Sequence, residues 1–206
     1  MVKTKPNKND IRYLATQERI EEAFWGLLAD RGLQKVTVRA LSERSGINRG
    51  TFYLHAEDKY DLLSQVEDRM HQGMMGGGAR LASGDAPEGE APPMATLMIA
   101  GARFVYENRE RVLLLMDDTC DPLFFSKYAA KVKAAMLGDI GNLLPEQRYT
   151  LALMEGVVGS LFGEWVRGGM KETPEEYVSI VLNLAAKLDL PAISDVLPQG
   201  QPAKRS

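Results

Sequence analysis

Between residues 37 and 59 the chain runs TVRALSERSGINRGTFYLHAEDK. Arg39, Arg49, Thr51, Tyr53, His55 and Lys59 fall close together in it and outnumber the carboxylates Glu43, Glu57 and Asp58. Such groups suit a polyanion: guanidinium and ammonium ions meet phosphate oxygens, and Arg, Asn or Thr can also reach base edges in a major groove. Nucleophilic or metal chemistry needs a different set. His55 and His71 are the only histidines and Cys120 is the only cysteine, so neither a nucleophile with its base nor a Cys/His ligand cluster can be assembled. Asp117-Asp118 and Glu175-Glu176 fit a helix end and an acidic first turn. The carboxylates around Cys120 disfavour the thiolate that a redox sensor requires. An enzyme is therefore the remote alternative, and neither a metal nor a cofactor is expected.

These groups need very short elements to present them. Leu41, Ile47 and Phe52 are the apolar positions, with Gly46 and Gly50 among them. The pattern predicts a helix capped by Thr37, a tight turn at Gly46 and a second helix over about 49–55 capped by Asn48. With Leu41, Ile47 and Phe52 inward, Asn48, Arg49, Thr51, Tyr53, Leu54 and His55 face outward. A two-turn helix with polar groups at its start is suited to a major groove, and Gly50 lets the backbone approach closely. Two readings stay open from the residues alone: Arg39 can pair with Glu43 at i, i+4, and an isolated histidine such as His55 is more often structural.

Upstream, Ile20, Ala23, Phe24, Leu27 and Leu28 form one apolar stripe on a helix over 16–30, ending near Gly32. Asp58 can cap a fourth helix carrying Leu62, Leu63 and Val66. Residues 73–93 contain six Gly and three Pro and predict a loop or linker. No alternating strand pattern occurs. Further helices are expected over 94–107, 109–117, 121–137 (Pro122 in its first turn), 145–168 and 174–188, the last opening Thr-Pro-Glu-Glu. The fold class is all-α.

Net charge is −3, but residues 1–60 hold eleven Lys/Arg against eight Asp/Glu, whereas residues 61–206 hold fourteen against twenty. A basic head on an acidic body can meet a polyanion with the head alone. No run of 18 apolar residues is present, so no membrane partner is expected. The N-terminus has no apolar core of the kind a secretory signal carries. With one thiol, the expectation is a cytoplasmic protein.

The run Thr37-Val38-Arg39-x-Leu41, Ser45-Gly46-Ile47-Asn48-Arg49-Gly50-Thr51-Phe52-Tyr53-Leu54-His55 and Asp58-Lys59-x-x-Leu62-Leu63 resembles the DNA-binding head of the tetracycline-repressor (TetR) family of bacterial regulators. The likeness covers about residues 16–66; beyond them only length and helical character agree. The resemblance implies a three-helix helix-turn-helix domain followed by a helical effector-binding and dimerisation domain. The expected organisation is a flexible basic arm over 1–15, the DNA-binding domain over 16–66, the helical domain over 67–190 and a flexible tail over 191–206. By position, it implies Thr37 on phosphate, Arg39 on phosphate or base, Arg49 and Thr51 facing the groove, and Tyr53, His55 and Lys59 on backbone phosphates. The family usually has an aromatic after His55; Ala56 stands here, and looser packing is expected behind the recognition helix.

One small head distinguishes few base pairs, so a homodimer reading a palindrome in double-stranded DNA is expected. Gly156, Gly159, Ser160 and Gly163 form a small-residue stripe that could admit a partner helix, joined by Tyr177, Val181 and Leu184 of the next helix. A small apolar effector is expected among Met98, Phe104, Met116, Phe124, Tyr128, Met154, Leu161 and Trp165, methionine adapting to irregular cavities. The expectation is a ligand-responsive repressor; the alternatives are control by a protein partner, or an activator.

Overall fold

A computed structural model describes residues 10–85, 94–117, 119–137 and 144–189. Within these residues nine α-helices and one 3-10 turn form, without a strand. Asp10 opens α1 (Ile11–Arg31), its carboxylate accepting from the Arg12 amide at 2.8 Å. The helix thus starts five residues before the apolar stripe predicts, because the cap and not the stripe sets its origin. Of the arm expected over 1–15, residues 11–15 are helical and 1–9 lie outside the described residues. Gly32, at φ +70°, turns the chain into the 3-10 segment Leu33–Lys35.

α2 (Val38–Ser45) begins where the Thr37 hydroxyl accepts from the Ala40 amide at 3.1 Å. It ends at Gly46, left-handed at φ +67°, which an L side chain adopts only at a cost. α3 (Arg49–His55) is capped by Asn48, whose carbonyl accepts from Thr51 N at 2.8 Å. α4 (Lys59–Asp85) starts at Asp58, which receives the amides of Tyr60 and Asp61 at 2.7 and 2.9 Å. All three predicted caps do their work. Ile20, Phe24, Leu41, Phe52, Leu62 and Val66 close over one another as the core of this unit.

α4 corrects one expectation. Residues 73–85 of the supposed loop continue the helix; 86–93 lie outside the described residues. Glycine weakens a helix, but Gly73 here and Gly101 of the next helix allow contacts that no larger residue would permit. A Cβ on Gly73 would lie 2.1 Å from the Phe104 ring, and one on Gly101 of α5 (Met94–Glu107) would lie 2.8 Å from the Met74 carbonyl oxygen. Close backbone packing overrides local propensity there.

Asn108 separates α5 from α6 (Arg109–Leu115). The chain forms two compact units, one of residues up to 72 with 110–122, the other of 73–109 with residues from 123 onward. The expected boundary at 66/67 is thus displaced: α6 packs into the head, where Arg111 pairs with Glu22 at 2.5 Å and lies over the Trp25 ring at 5.2 Å. α7 (Phe124–Leu137) starts later than expected, Pro122 lying in the preceding turn. α8 (Pro145–Arg167) and α9 (Pro174–Lys187) match the predicted spans closely. Thr173 and Glu176 form a reciprocal capping box, with Thr173 N donating to the Glu176 carboxylate at 2.8 Å and Glu176 N donating to the Thr173 hydroxyl at 3.3 Å. Stacked pairs Phe125–Phe162 and Trp165–Tyr177, each with centroids 4.4 Å apart, build the aromatic core of the second unit. The tail expected over 191–206 lies outside the described residues.

Candidate nucleic-acid interface

Seven residues cannot hold a helix on their own in water, so α3 depends on what grips it. Phe52 is fully buried, and its ring meets the Tyr53 ring edge-on at 5.7 Å. The opposite face is open. Asn48, Arg49 and Gly50 are exposed at the helix start, and Tyr53 and Leu54 are exposed one turn on, at 58% and 54%. Thr51 is half-buried, its hydroxyl donating to the Asn48 side chain at 3.2 Å. The exposed Thr37 and Arg39 stand at the start of α2. Arg39 lies 2.7 Å from Glu43, the i, i+4 pair that the sequence left open. Both partners are solvated, and a pair of this kind contributes little to stability.

One expectation fails here. His55 does not face outward: it is 7% exposed, its ring stacks on Tyr13 with centroids 4.0 Å apart, and Nδ1 lies 2.9 Å from Gln17 Oε1. Burial holds its pKa below the ordinary value. Lys59 is half-buried, and its ammonium donates to the carbonyls of Leu33 and Gln34 at 3.0 and 3.1 Å. It ties α4 to the turn after α1 with two of the three ammonium donors. Ala56 is also buried. Tyr13 and Gln17 were missed. Gln17 stands three residues before Ile20, a polar residue extending the apolar stripe of α1, and that position was the signal.

The body candidates divide similarly. Gly156 and Ser160 are exposed and line an open hollow of about 460 Å³ with Ala152, Leu153, Val157 and Leu161. Gly159 turns inward, where a Cβ would lie 3.0 Å from Phe125, and Gly163 is buried beneath the Arg167 guanidinium. Tyr177 and Val181 are buried within their own subunit, with Leu184 half-buried; they are core positions, while Ile180 and Leu188 of the same chain segment point outward.

The effector candidates lie in differing surroundings. Met116 belongs to the head unit. Phe104 covers Gly73, Phe124 is fully buried, and Trp165 is buried with its indole N–H donating to the Glu172 carbonyl at 3.0 Å. Met98, Met154 and Leu161 are half-buried, and of the eight only Leu161 lines either open hollow. Burial pushes the Tyr128 phenol up to about 12 and raises Tyr177 as well, with Tyr128 beside it adding to the effect. Among the described residues no group of three or more His, Cys, Asp or Glu is placed to hold a metal ion, and no helix is long and apolar enough to cross a membrane.

Residues 22–66 match the profile of bacterial regulatory proteins of the tetR family. The uncharacterized HTH-type transcriptional regulator YxbF of Bacillus subtilis (strain 168) is 32% identical over 60 residues, 29% of this chain and 16% of that protein's length. The whole chain resembles solved structures at low identity. The SmeT–triclosan complex has a TM-score of 0.58 at 17% identity, covering 91% of this chain and 99% of that one. A TetR-like transcriptional regulator from Rhodococcus sp. RHA1 has 0.57 at 16%, with the same coverage. The fatty acid degradation regulator FadR from Bacillus halodurans has 0.55 at 14%, covering 82% and 93%. These three likenesses establish the fold. The likeness to the tetR family of bacterial regulatory proteins is carried by the amino-terminal head, residues 22–66.

Proposed function

We propose that this protein is a cytoplasmic transcription repressor that binds palindromic operator DNA as a homodimer and is released by a small apolar effector. The observation that carries the reading is α3: a capped two-turn helix, held by a buried Phe52, with Arg49 and Tyr53 exposed on its outer face. Its length and polar start fit a major groove, and the net positive charge of residues 1–60 favours the phosphates on either side. Arg49 is the candidate base reader. Tyr53 and Thr37 are the candidate phosphate contacts, and Arg39 serves there once it leaves Glu43.

Dimerisation is supported by the outer faces of α8 and α9. Tyr149 and Leu153 are 76% and 57% exposed, and Ile180 also points to solvent. Apolar residues gathered on one face mark an interaction surface. The small apolar effector is supported by a solved protein of this fold having been captured with triclosan. In this scheme the effector favours a body conformation in which the two heads no longer match successive grooves, opposing DNA through a coupling of about 1–3 kcal/mol.

The test is a footprint on the DNA flanking the protein's own gene, repeated with candidate effectors. Changing Arg49 and Tyr53 together to Ala removes one base contact and one backbone contact. Specific binding should fall by about tenfold or more, with the helical signal and oligomeric state unchanged. Protection of the same bases at unaltered affinity would discard α3 as the reading surface.

A further inference from the structure

The carboxyl end of α3 closes a ring of hydrogen bonds. The His55 carbonyl accepts from Gln65 Nε2 at 2.9 Å, Gln17 Nε2 donates to Gln65 Oε1 at 3.2 Å, and Gln17 Oε1 lies 2.9 Å from His55 Nδ1. The sense of this ring follows from its one invariable acceptor. A backbone carbonyl can only accept, so Gln65 must turn its NH2 toward His55 O. That leaves Gln65 Oε1 facing Gln17, which must answer with its own NH2. Gln17 Oε1 then faces His55, and an acceptor there obliges Nδ1 to carry the proton. Asp61, whose carboxylate accepts from Gln65 Nε2 at 3.2 Å, agrees with this orientation.

We propose that Gln17 of α1 and Gln65 of α4 are positioning residues for DNA reading, a one-way ring that holds His55 as the Nδ1–H tautomer and fixes the carboxyl end of α3. The inference rests on α3 being the recognition helix. Helix ends leave carbonyls unsatisfied, and the chain leaves α3 at Ala56 in extended backbone without a terminal glycine. Gln65 supplies the missing donor for the last carbonyl. Gln17, 6% exposed, and the stacked Tyr13 hold the imidazole. Asn48 caps the other end only from within α3, so this ring, together with the buried Phe52, sets the rotation of α3 about its axis and with it the direction of Arg49 and Tyr53. Gln17 and Tyr13 precede the segment that matches the family profile.

Two measurements test it on the full-length protein. Long-range 1H–15N spectra report which imidazole nitrogen carries the proton, and His55 is assigned by the signal lost in His55→Asn. The wild type should show Nδ1–H, and Gln17→Leu should shift the population toward Nε2–H. Binding is then compared on the duplex recovered by footprinting and on a random duplex. Gln17→Leu and Gln65→Leu should each weaken specific binding about tenfold and leave random-duplex binding unchanged. The double variant should lose little more than either single, as members of one network do. If a leucine variant fails to fold, Gln17→Glu replaces it: it keeps the acceptor, so Nδ1–H persists, while loss of the donor to Gln65 lowers specific binding. A wild-type Nε2–H tautomer, singles within twofold of wild type, or a multiplicative double loss overturns the ring. If the wild type itself prefers no sequence, the regulator reading fails, whereas the tautomer still decides whether the ring exists.

Discussion

His55 shows what a residue's type and spacing can and cannot disclose. Thr37, Gly46, Asn48 and Asp58 were legible because a cap or turn is settled by the few residues around it. His55 and Lys59 were not, because their partners lie 38 and about 25 positions away, in Gln17 and in the Leu33 and Gln34 carbonyls. Burial has a consequence that can be measured. The folded head lowers the His55 pKa from the ordinary 6.5, desolvation being the cause, so the native state binds a proton less readily than the unfolded chain. Stability from this site is fully present above about pH 6.5 and is lost as pH falls through the lower folded value. Thermal melting between pH 7.5 and 5.5 should therefore fall more steeply in the wild type than in His55→Asn, which keeps a donor but does not titrate. Equal slopes would show that the imidazole is not desolvated in the fold.

At the scale of elements, the sequence disclosed α5, α6, α8 and α9 almost to the residue, since periodicity, Asn108 and two Pro-led starts mark them. The glycine-rich end of α4 was illegible, because composition predicts intrinsic preference and not the neighbour that overrides it. Gly101 tests this reading. Alanine raises helix propensity by about 1 kcal/mol, yet here its Cβ would meet a backbone oxygen at 2.8 Å, and a carbonyl inside a helix cannot swing aside. Overpacking of this sort costs about 1–3 kcal/mol, so Gly101→Ala should lower the melting temperature by several degrees despite the better propensity. An unchanged or raised melting temperature would mean that α4 and α5 do not approach so closely.

For the whole molecule, the small-residue stripe of α8 separates into inner and outer halves, which one periodic pattern could not distinguish. Gly159 packs against Phe125 in the aromatic core of its own unit, whereas Gly156 lines the open hollow. The two glycines therefore make opposite predictions. A Cβ at Gly159 would press on Phe125 at 3.0 Å, and Gly159→Ala should loosen the subunit itself. A Cβ at Gly156 meets nothing within 4 Å, and helix propensity alone favours the subunit by up to about 1 kcal/mol. If a second copy lays its α8 into the hollow, the added methyl separates the two backbones. Gly156→Ala should then shift the equilibrium toward monomer in analytical ultracentrifugation while far-UV circular dichroism stays unchanged. Operator affinity should fall in step, because two heads on one axis read two half-sites and one head reads only one. A variant as dimeric as the wild type would move the subunit interface away from this face of α8.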